Sequence, residues 1–337
     1  MNTRRPATIA TAALSIALLA PACLLAGAVH IPAADVWQAL CGGPTEHEAW
    51  GVIVRDIRVP MAATAALGGM ALSVAGLLMQ TLFRNPLAGP SIMGISSGAS
   101  LGVALVVLAG VGGGAAMSAA TLTGALAGSL AIMALLMAIS TVVRSAAMLL
   151  IVGVLTGYVS SSAISLLNFF APQQSVHAYM LWGLGNFTSV SAGELPWFAT
   201  LTASFTLLSM LFIKPLDALL LGERYAENMG VHLGRVRAGI MLAGGTLTAA
   251  VTAWCGPIAF IGLAVPHVAR LALNTSSHKW LMPAAALIGA ATGLLTALLS
   301  VLPSQWGVLP VNAITPLLGV PVILYIILNG RKIAYFN

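Results

Sequence analysis

The chain predicts an all-α integral membrane protein of ten transmembrane helices, and three observations carry that prediction. Its 337 residues are 59% hydrophobic and only 7% charged, whereas soluble domains run near a quarter charged. Apolar runs approaching or exceeding the ~20 residues that cross a bilayer follow one another along almost the whole length. The basic residues fall mainly on alternate connecting segments, the mark of a fixed orientation in the membrane. Nothing of ordinary soluble-domain size is left over, so residues 1–337 read as a single transmembrane domain.

The first run starts after Arg4 and Arg5 and continues to about Ala28. Ala26-Gly27-Ala28 could mimic a signal-peptide cleavage site, but the run is long enough to span and the charge pattern requires it to. Residues 31–57 read as a polar loop, followed by a second span at about 59–82. Further spans are expected near 92–110, 116–141, 147–169, 193–213 and 236–254. A short eighth at 257–273 is interrupted by Pro266, and 280–302 and 318–329 complete the set.

The charges test this layout. With the N-terminus inside, Arg4, Arg5, Arg84, Arg144, Lys214, Arg224, Arg235, Arg237, Arg270, Lys279, Arg331 and Lys332 are cytoplasmic, and only Arg55 and Arg58 lie outside. Losing one span would reverse every later loop and erase the asymmetry. Both termini are therefore expected in the cytoplasm. The +6 net charge reflects these loops and implies no nucleic-acid partner.

Small residues recur at helix-packing spacing: Gly94 and Gly98, then Gly98 and Gly102, in the third span, and Gly124 and Gly128 in the fourth. Such pairs let backbones approach closely in lipid. No charged residue sits at mid-span in the first seven helices, where ion-coupled carriers usually place one. That argues against the alternative of a secondary transporter working alone. Cys23, Cys41 and Cys255 lack metal or redox spacing. No P-loop G-x-x-x-x-G-K-[ST] occurs, so ATP chemistry would need a separate polypeptide. With no nucleophile–base pair and no clustered metal ligands, the chain is expected to be neither an enzyme nor a cofactor carrier.

Four segments are more specific. Val54-Arg55-Asp56-Ile57-Arg58-Val59-Pro60 enters the second span. Gly76-Leu-Leu-Met79-Gln80-Thr-Leu-Phe-Arg84-Asn85-Pro86-Leu87-Ala88-Gly89-Pro90 leaves it. A charged island, Gly222-Glu223-Arg224-Tyr225-Ala226-Glu227-Asn-Met-Gly230, continues to Arg237 between two apolar runs. The fourth is Gly256-Pro257-Ile-Ala-Phe260-Ile-Gly262-Leu-Ala-Val-Pro266-His267-Val-Ala-Arg270, with Leu309-Pro310-Val311 and Leu318-Gly319-Val320-Pro321 beyond it. In order, from about residue 50 to the C-terminus, these closely resemble the FecCD-type permeases. That ABC-transporter family imports cobalamin, haem and ferric siderophores.

The resemblance implies a type II ABC importer permease in the bacterial inner membrane. It would pair with a second copy of itself around one path, with two P-loop ATPase subunits below and a solute-binding protein above. ATP would be used by the partner, and ferric siderophore is the first expectation for cargo, then haem or cobalamin. Arg55 and Arg58 would receive acidic residues of the binding protein, or else anchor the span at lipid headgroups. The family often carries a further arginine near the end of the ninth span, where this chain reads Leu299-Ser300-Val301. Asn85, Pro86 and Leu87 would form a cytoplasmic gate with Ser145, Ala146 and Ala147, although proline alone would turn the chain there. Residues 215–234 match the coupling helices, with Asp217, Gly222, Glu223, Arg224, Tyr225, Ala226, Glu227 and Gly230 facing the ATPase. Gly222 and Gly230 would stop short helices. Met79 and Gln80 are expected near the path. His267 reads as structural, and His177, Tyr179, Met180 and Trp182 as an outer loop that could meet cargo.

Overall fold

A computed structural model describes residues 4–110, 115–143, 145–302 and 307–328. Among them every regular element is helical. α1 (Arg4–Leu25) leads to the short α2 (Ala33–Leu40) and α3 (Glu48–Val52), which passes through a π-helical turn (Ile53–Arg58) into α4 (Val59–Leu82). A 3-10 turn at Pro90–Met93 precedes α5 (Ile95–Leu108). Then come α6 (Ala115–Val142), α7 (Ala146–Phe170) and the shorter α8 (Gln173–Gly183). α9 (Leu195–Ser209) continues through another 3-10 turn into α10 (Ile213–Leu220), followed by α11 (Glu223–Asn228) and α12 (Leu233–Cys255). α13 (Ile261–Leu273), α14 (His278–Val301) and α15 (Val311–Leu328) close the chain. Seven helices in the described residues are long and apolar enough to cross a membrane, and α5, α13 and α15 are shorter apolar helices.

Several boundaries differ from expectation: Ala33–Leu40 and Gln173–Gly183, expected as loop, are helical. Residues 48–58 are not loop: with α4 they form one helix of 35 residues, Glu48–Leu82. Their charges suggested a loop, yet Val54 and Arg58 are buried while Arg55, Asp56 and Ile57 are exposed, as one face of a helix requires. α15 starts at Val311, not near 318, and runs through Pro316 and Pro321. Prolines are tolerated in membrane helices when neighbours satisfy the freed carbonyls. Arg144, Arg331 and Lys332 of the charge pattern lie outside the described residues.

α4, α12 and α14 form the interior, with 78%, 72% and 61% of their apolar windows buried, against 11%, 22% and 17% for α1, α6 and α7. Hydrophobicity does not sort them, since α1 and α6 are more apolar than any of the buried three. Small residues do, because lipid removes the hydrophobic drive for helices to associate and leaves packing to decide. A Cβ on Gly69 of α4 would overlap the Gly289 carbonyl of α14, and one on Gly293 would overlap the Ala65 carbonyl. The expected glycine pairs of α5 and α6 meet one another: a Cβ on Gly102 would overlap the Gly124 carbonyl, and one on Gly128 the Gly98 carbonyl. Gly94 serves differently, starting α5 with φ +72°. The last turns of α4 pack on α13 through Gly76 against Gly262.

Candidate functional site at the two ends of the central helix

At its N-terminal end the 48–82 helix carries both arginines, with opposite exposure. Arg55 is exposed, and its Nε donates to the Gly51 carbonyl one turn back at 3.3 Å. Arg58 is 4% exposed. Its Nη1 donates to the carbonyls of Leu24 (2.7 Å) and Leu25 (3.1 Å), and its Nη2 to that of Val29. These are carbonyls at and just beyond the end of α1, which no helical N–H can reach. A cation there also faces the negative end of the α1 dipole. The tight fit extends to Gly27 (φ +156°), where a Cβ would sit 3.0 Å from Arg58 Nη2. Arg58 is thus a structural clamp in this chain, and of the two arginines only Arg55 is presented outward.

The other end of α4 closes with a Schellman arrangement: Asn85 N–H donates to the Gln80 carbonyl (3.1 Å) and Arg84 N–H to that of Thr81 (3.2 Å). Arg84 takes the left-handed position, φ +47°. Asn85 then makes its own turn, its Oδ1 accepting from Leu87 N–H at 2.9 Å. Pro86 is held from α13, its carbonyl accepting from His267 Nε2 at 2.8 Å. His267 is 1% exposed, a buried structural role as expected. Leu87 is exposed and lines a cavity of about 200 Å³ with Pro90, Ile258, Phe260 and Leu263.

Ser145 caps α7, its Oγ accepting from Met148 N–H at 3.4 Å; Ala146 is half-buried and Ala147 exposed. Among the described residues no hydrogen bond joins 85–87 to 145–147. Instead Ile92 and Met93 press on α7 at Gly153. Met79 and Gln80 are 1% and 0% exposed, so within the protomer neither lines an open path. Met79 packs on Gly244 of α12. The Gln80 amide donates to the Leu263 carbonyl at 3.1 Å, and its oxygen accepts from Arg270 Nη1.

The segment before the charged island and the island itself form two short helices, α10 and α11. Gly222 (φ +108°) separates α10 from α11 and Gly230 (φ +84°) ends α11. Gly230 N–H donates to the Glu227 carbonyl (2.9 Å) and Val231 N–H to that of Ala226 (3.0 Å), the ending that glycine permits. Ala226 is buried and anchors α11, while Arg224, Tyr225 and Glu227 are exposed. Leu221 and Met229 flank them, 59% and 61% exposed. Glu223 is turned inward and pairs with Arg237 at 2.9 Å. Between α11, the start of α12 and the end of α6 opens a cleft of about 580 Å³ lined by Glu223, Arg224, Glu227 and Arg237.

Asp217 is not aimed outward with this group. Its Oδ1 accepts from the N–H and Nδ1 of His278, both at 2.7 Å, and its Oδ2 from Ser277 Oγ at 3.2 Å. His278 and Arg270 were not singled out from sequence, and neither was Asn312 near the start of α15. Asn312 donates to the Gly183 carbonyl (3.3 Å) and the Pro257 carbonyl (2.5 Å), and accepts from Ala259 N–H (3.1 Å). It ties the end of α8 to the segment before α13. The only hint in the sequence was a polar side chain within an apolar run. Of the proposed cargo-facing residues on α8, Tyr179 and Trp182 stack on each other at 6.2 Å, while His177 and Met180 are exposed.

Comparison with known proteins agrees with this geometry. The family model described as the FecCD transport family matches residues 14–329. The hemin transport system permease of Yersinia pestis is 32% identical over 322 residues, covering 91% of this chain and 90% of that protein. The vitamin B12 import system permease of Citrobacter koseri is 31% identical over 309 residues, covering 92% of each. A solved structure described as an inward-facing conformation of a metal-chelate type ABC transporter superposes with a TM-score of 0.82, at 24% identity, over 96% of this chain and 99% of the other. With nearly its full length matched, the chain belongs to the FecCD transport family of membrane permeases.

Proposed function

We propose that the chain is the ten-helix, homodimeric permease subunit of an ATP-driven importer. Its N-terminus and the α10–α11 pair face the cytoplasm, and Arg55 faces a solute-binding protein outside. The observation that carries this reading is the surface of α11. A membrane protein has no packing need for Leu221, Arg224, Tyr225, Glu227 and Met229 all exposed together. Apolar, aromatic and charged side chains gathered on a short helix and the residues flanking it are what a protein partner's pocket takes up. Supporting it, the charge asymmetry puts that surface on the cytoplasmic side. There an ATPase supplies the hydrolysis for which this chain has no P-loop. The gate comprises the Asn85–Leu87 turn and the Ser145–Ala147 segment, brought together by conformational change.

For cargo, the relatives named for hemin and vitamin B12 favour a metal tetrapyrrole. Ferric siderophore, first in expectation from the sequence, is the competing arm. The tagged protein purified in mild detergent is expected to bring down a P-loop ATPase in equal amount. Arg224→Glu with Glu227→Lys is expected to abolish that association without unfolding the permease. Equal recovery of ATPase with the reversed pair would refute the assignment of α11, and absence of any ATPase from the unmodified protein would refute the importer reading.

A further inference from the structure

Asp217 sits on α10, yet it bonds away from the exposed surface of α11, and following those bonds leads across the protomer. Its carboxylate accepts from the first N–H of α14, one of the donors that a helix start leaves unpaired. It accepts also from the Nδ1 of the same residue, His278. His278 is 1% exposed, and its Nε2 meets Thr81 Oγ1 at 2.8 Å. With Nδ1–H donating to Asp217, Nε2 of the neutral ring accepts from the Thr81 hydroxyl. Thr81 is 1% exposed and lies in the last turn of α4, and its carbonyl accepts from Arg84 N–H in the ending that leads to Asn85. The neighbouring Gln80 is held by Arg270 and the Leu263 carbonyl, while His267 of the same helix α13 holds Pro86.

We propose that Asp217, His278 and Thr81 are positioning residues of transport. They form a hydrogen-bonded strut, part-exposed at Asp217 and buried at His278 and Thr81, that carries displacement of the coupling helices to the end of α4, and so to the Asn85–Leu87 turn. This rests on the importer reading above. The physical argument is one of stiffness. Apolar helix contacts slide by small steps at little cost, whereas a charge-assisted bond at 2.7 Å is directional and strong. α10 therefore cannot shift relative to the start of α14 and the end of α4 without carrying them or breaking these bonds. Arg270 and His267 fasten the last turn of α4 and the turn after it to α13, so a push arriving at Thr81 swings the turn about α13.

The test uses the intact complex with its ATPase in liposomes, measuring ATP hydrolysed and cargo delivered in the same sample. Haem, cyanocobalamin and a ferric siderophore serve as the probes, each with its binding protein. The unmodified complex first establishes ATP-dependent uptake; its failure there counts against the importer reading, not against the strut. His278→Ala and Thr81→Val are expected to keep the ATPase bound and hydrolysing while ATP spent per cargo rises about tenfold, the factor given by ~1.4 kcal/mol of lost coupling. Combining Asp217→Asn with His278→Ala should add little to either alone, as expected for members of one chain of bonds. His278→Gln, which keeps a donor and an acceptor, should recover part of the ratio. An unchanged ATP-per-cargo ratio in Thr81→Val would overturn the proposal. So would loss of ATPase binding or of folded complex in both His278→Ala and Thr81→Val, which would mark the residues as purely architectural.

Discussion

The two ends of the central 48–82 helix use buried polar side chains in opposite ways. At the start, one arginine, Arg58, gathers three carbonyls from the α1 end and the segment after it. Every acceptor there is backbone, so the joint cannot rearrange without leaving those carbonyls unpaired. At the finish, Gln80 and Thr81 are tied to α13 and α14 through the side chains of Arg270 and His278, and onward to α10 through Asp217. Three of these bonds join side chain to side chain, beside others to the backbone of Leu263, Pro86 and His278, so this end has partners on several helices that can move together. The comparison teaches that a helix can be pinned at one end and steered at the other. On the proposed orientation the steered end is the one nearest the ATP-using partner.

Breaking the pinned end gives the largest expected effect. Arg58→Ala removes the donor to three carbonyls at once and is expected to destabilise the protein by about 3 kcal/mol. The readout is a lowered thermal unfolding midpoint in detergent and poor recovery from membranes. If Arg58→Ala is as stable as the unmodified chain, the clamp is not what fixes α1.

Much of this architecture was legible in the sequence, for identifiable reasons. The order of the helices follows from apolar run length, and the α5–α6 crossing from glycines four apart, because both signals are local. The helical start at Glu48 was hidden, since Arg55, Asp56 and Arg58 have the composition of a loop and only burial of one face marks a helix. Arg58 was read as outward-facing for a related reason. Its partners are backbone carbonyls some thirty positions earlier, and carbonyls have no signature in a sequence. The strut was invisible likewise: Thr81, Asp217 and His278 lie far apart in the chain, and only the folded bundle brings them within bonding distance. Met79 and Gln80 were placed near the path from their position in a motif, and the structure turns both into the protomer interior.

At the steered end a smaller effect is expected. Gln80→Leu deprives Arg270 of one acceptor and the Leu263 carbonyl of its donor, and should cost about 2 kcal/mol, measured by the same thermal unfolding. A loss equal to that of Arg58→Ala would erase the contrast between the ends. Glu223→Gln should cost less than ~1 kcal/mol, because the pair with Arg237 is part-exposed and water screens it. A double-mutant cycle with Arg237→Gln would sharpen that figure.

Smallest in stability is Arg55→Ala, expected to lie within ~0.5 kcal/mol of the unmodified protein. Its effect belongs elsewhere: affinity for the binding protein should fall about tenfold at low salt and less at high salt. If Arg55→Ala leaves that affinity and its salt dependence unchanged, the exposed arginine is a headgroup anchor.

The central claim, that this permease is driven from its steered end by an ATP-using partner, is tested most directly by uptake into liposomes. Haem- or cobalamin-loaded binding protein is supplied on one side, with ATP or an imposed proton or sodium gradient as the alternative source of energy. The account predicts uptake that needs both the ATPase and ATP and is indifferent to the gradients. Uptake driven by a gradient with the ATPase absent would contradict it and make the chain a carrier in its own right.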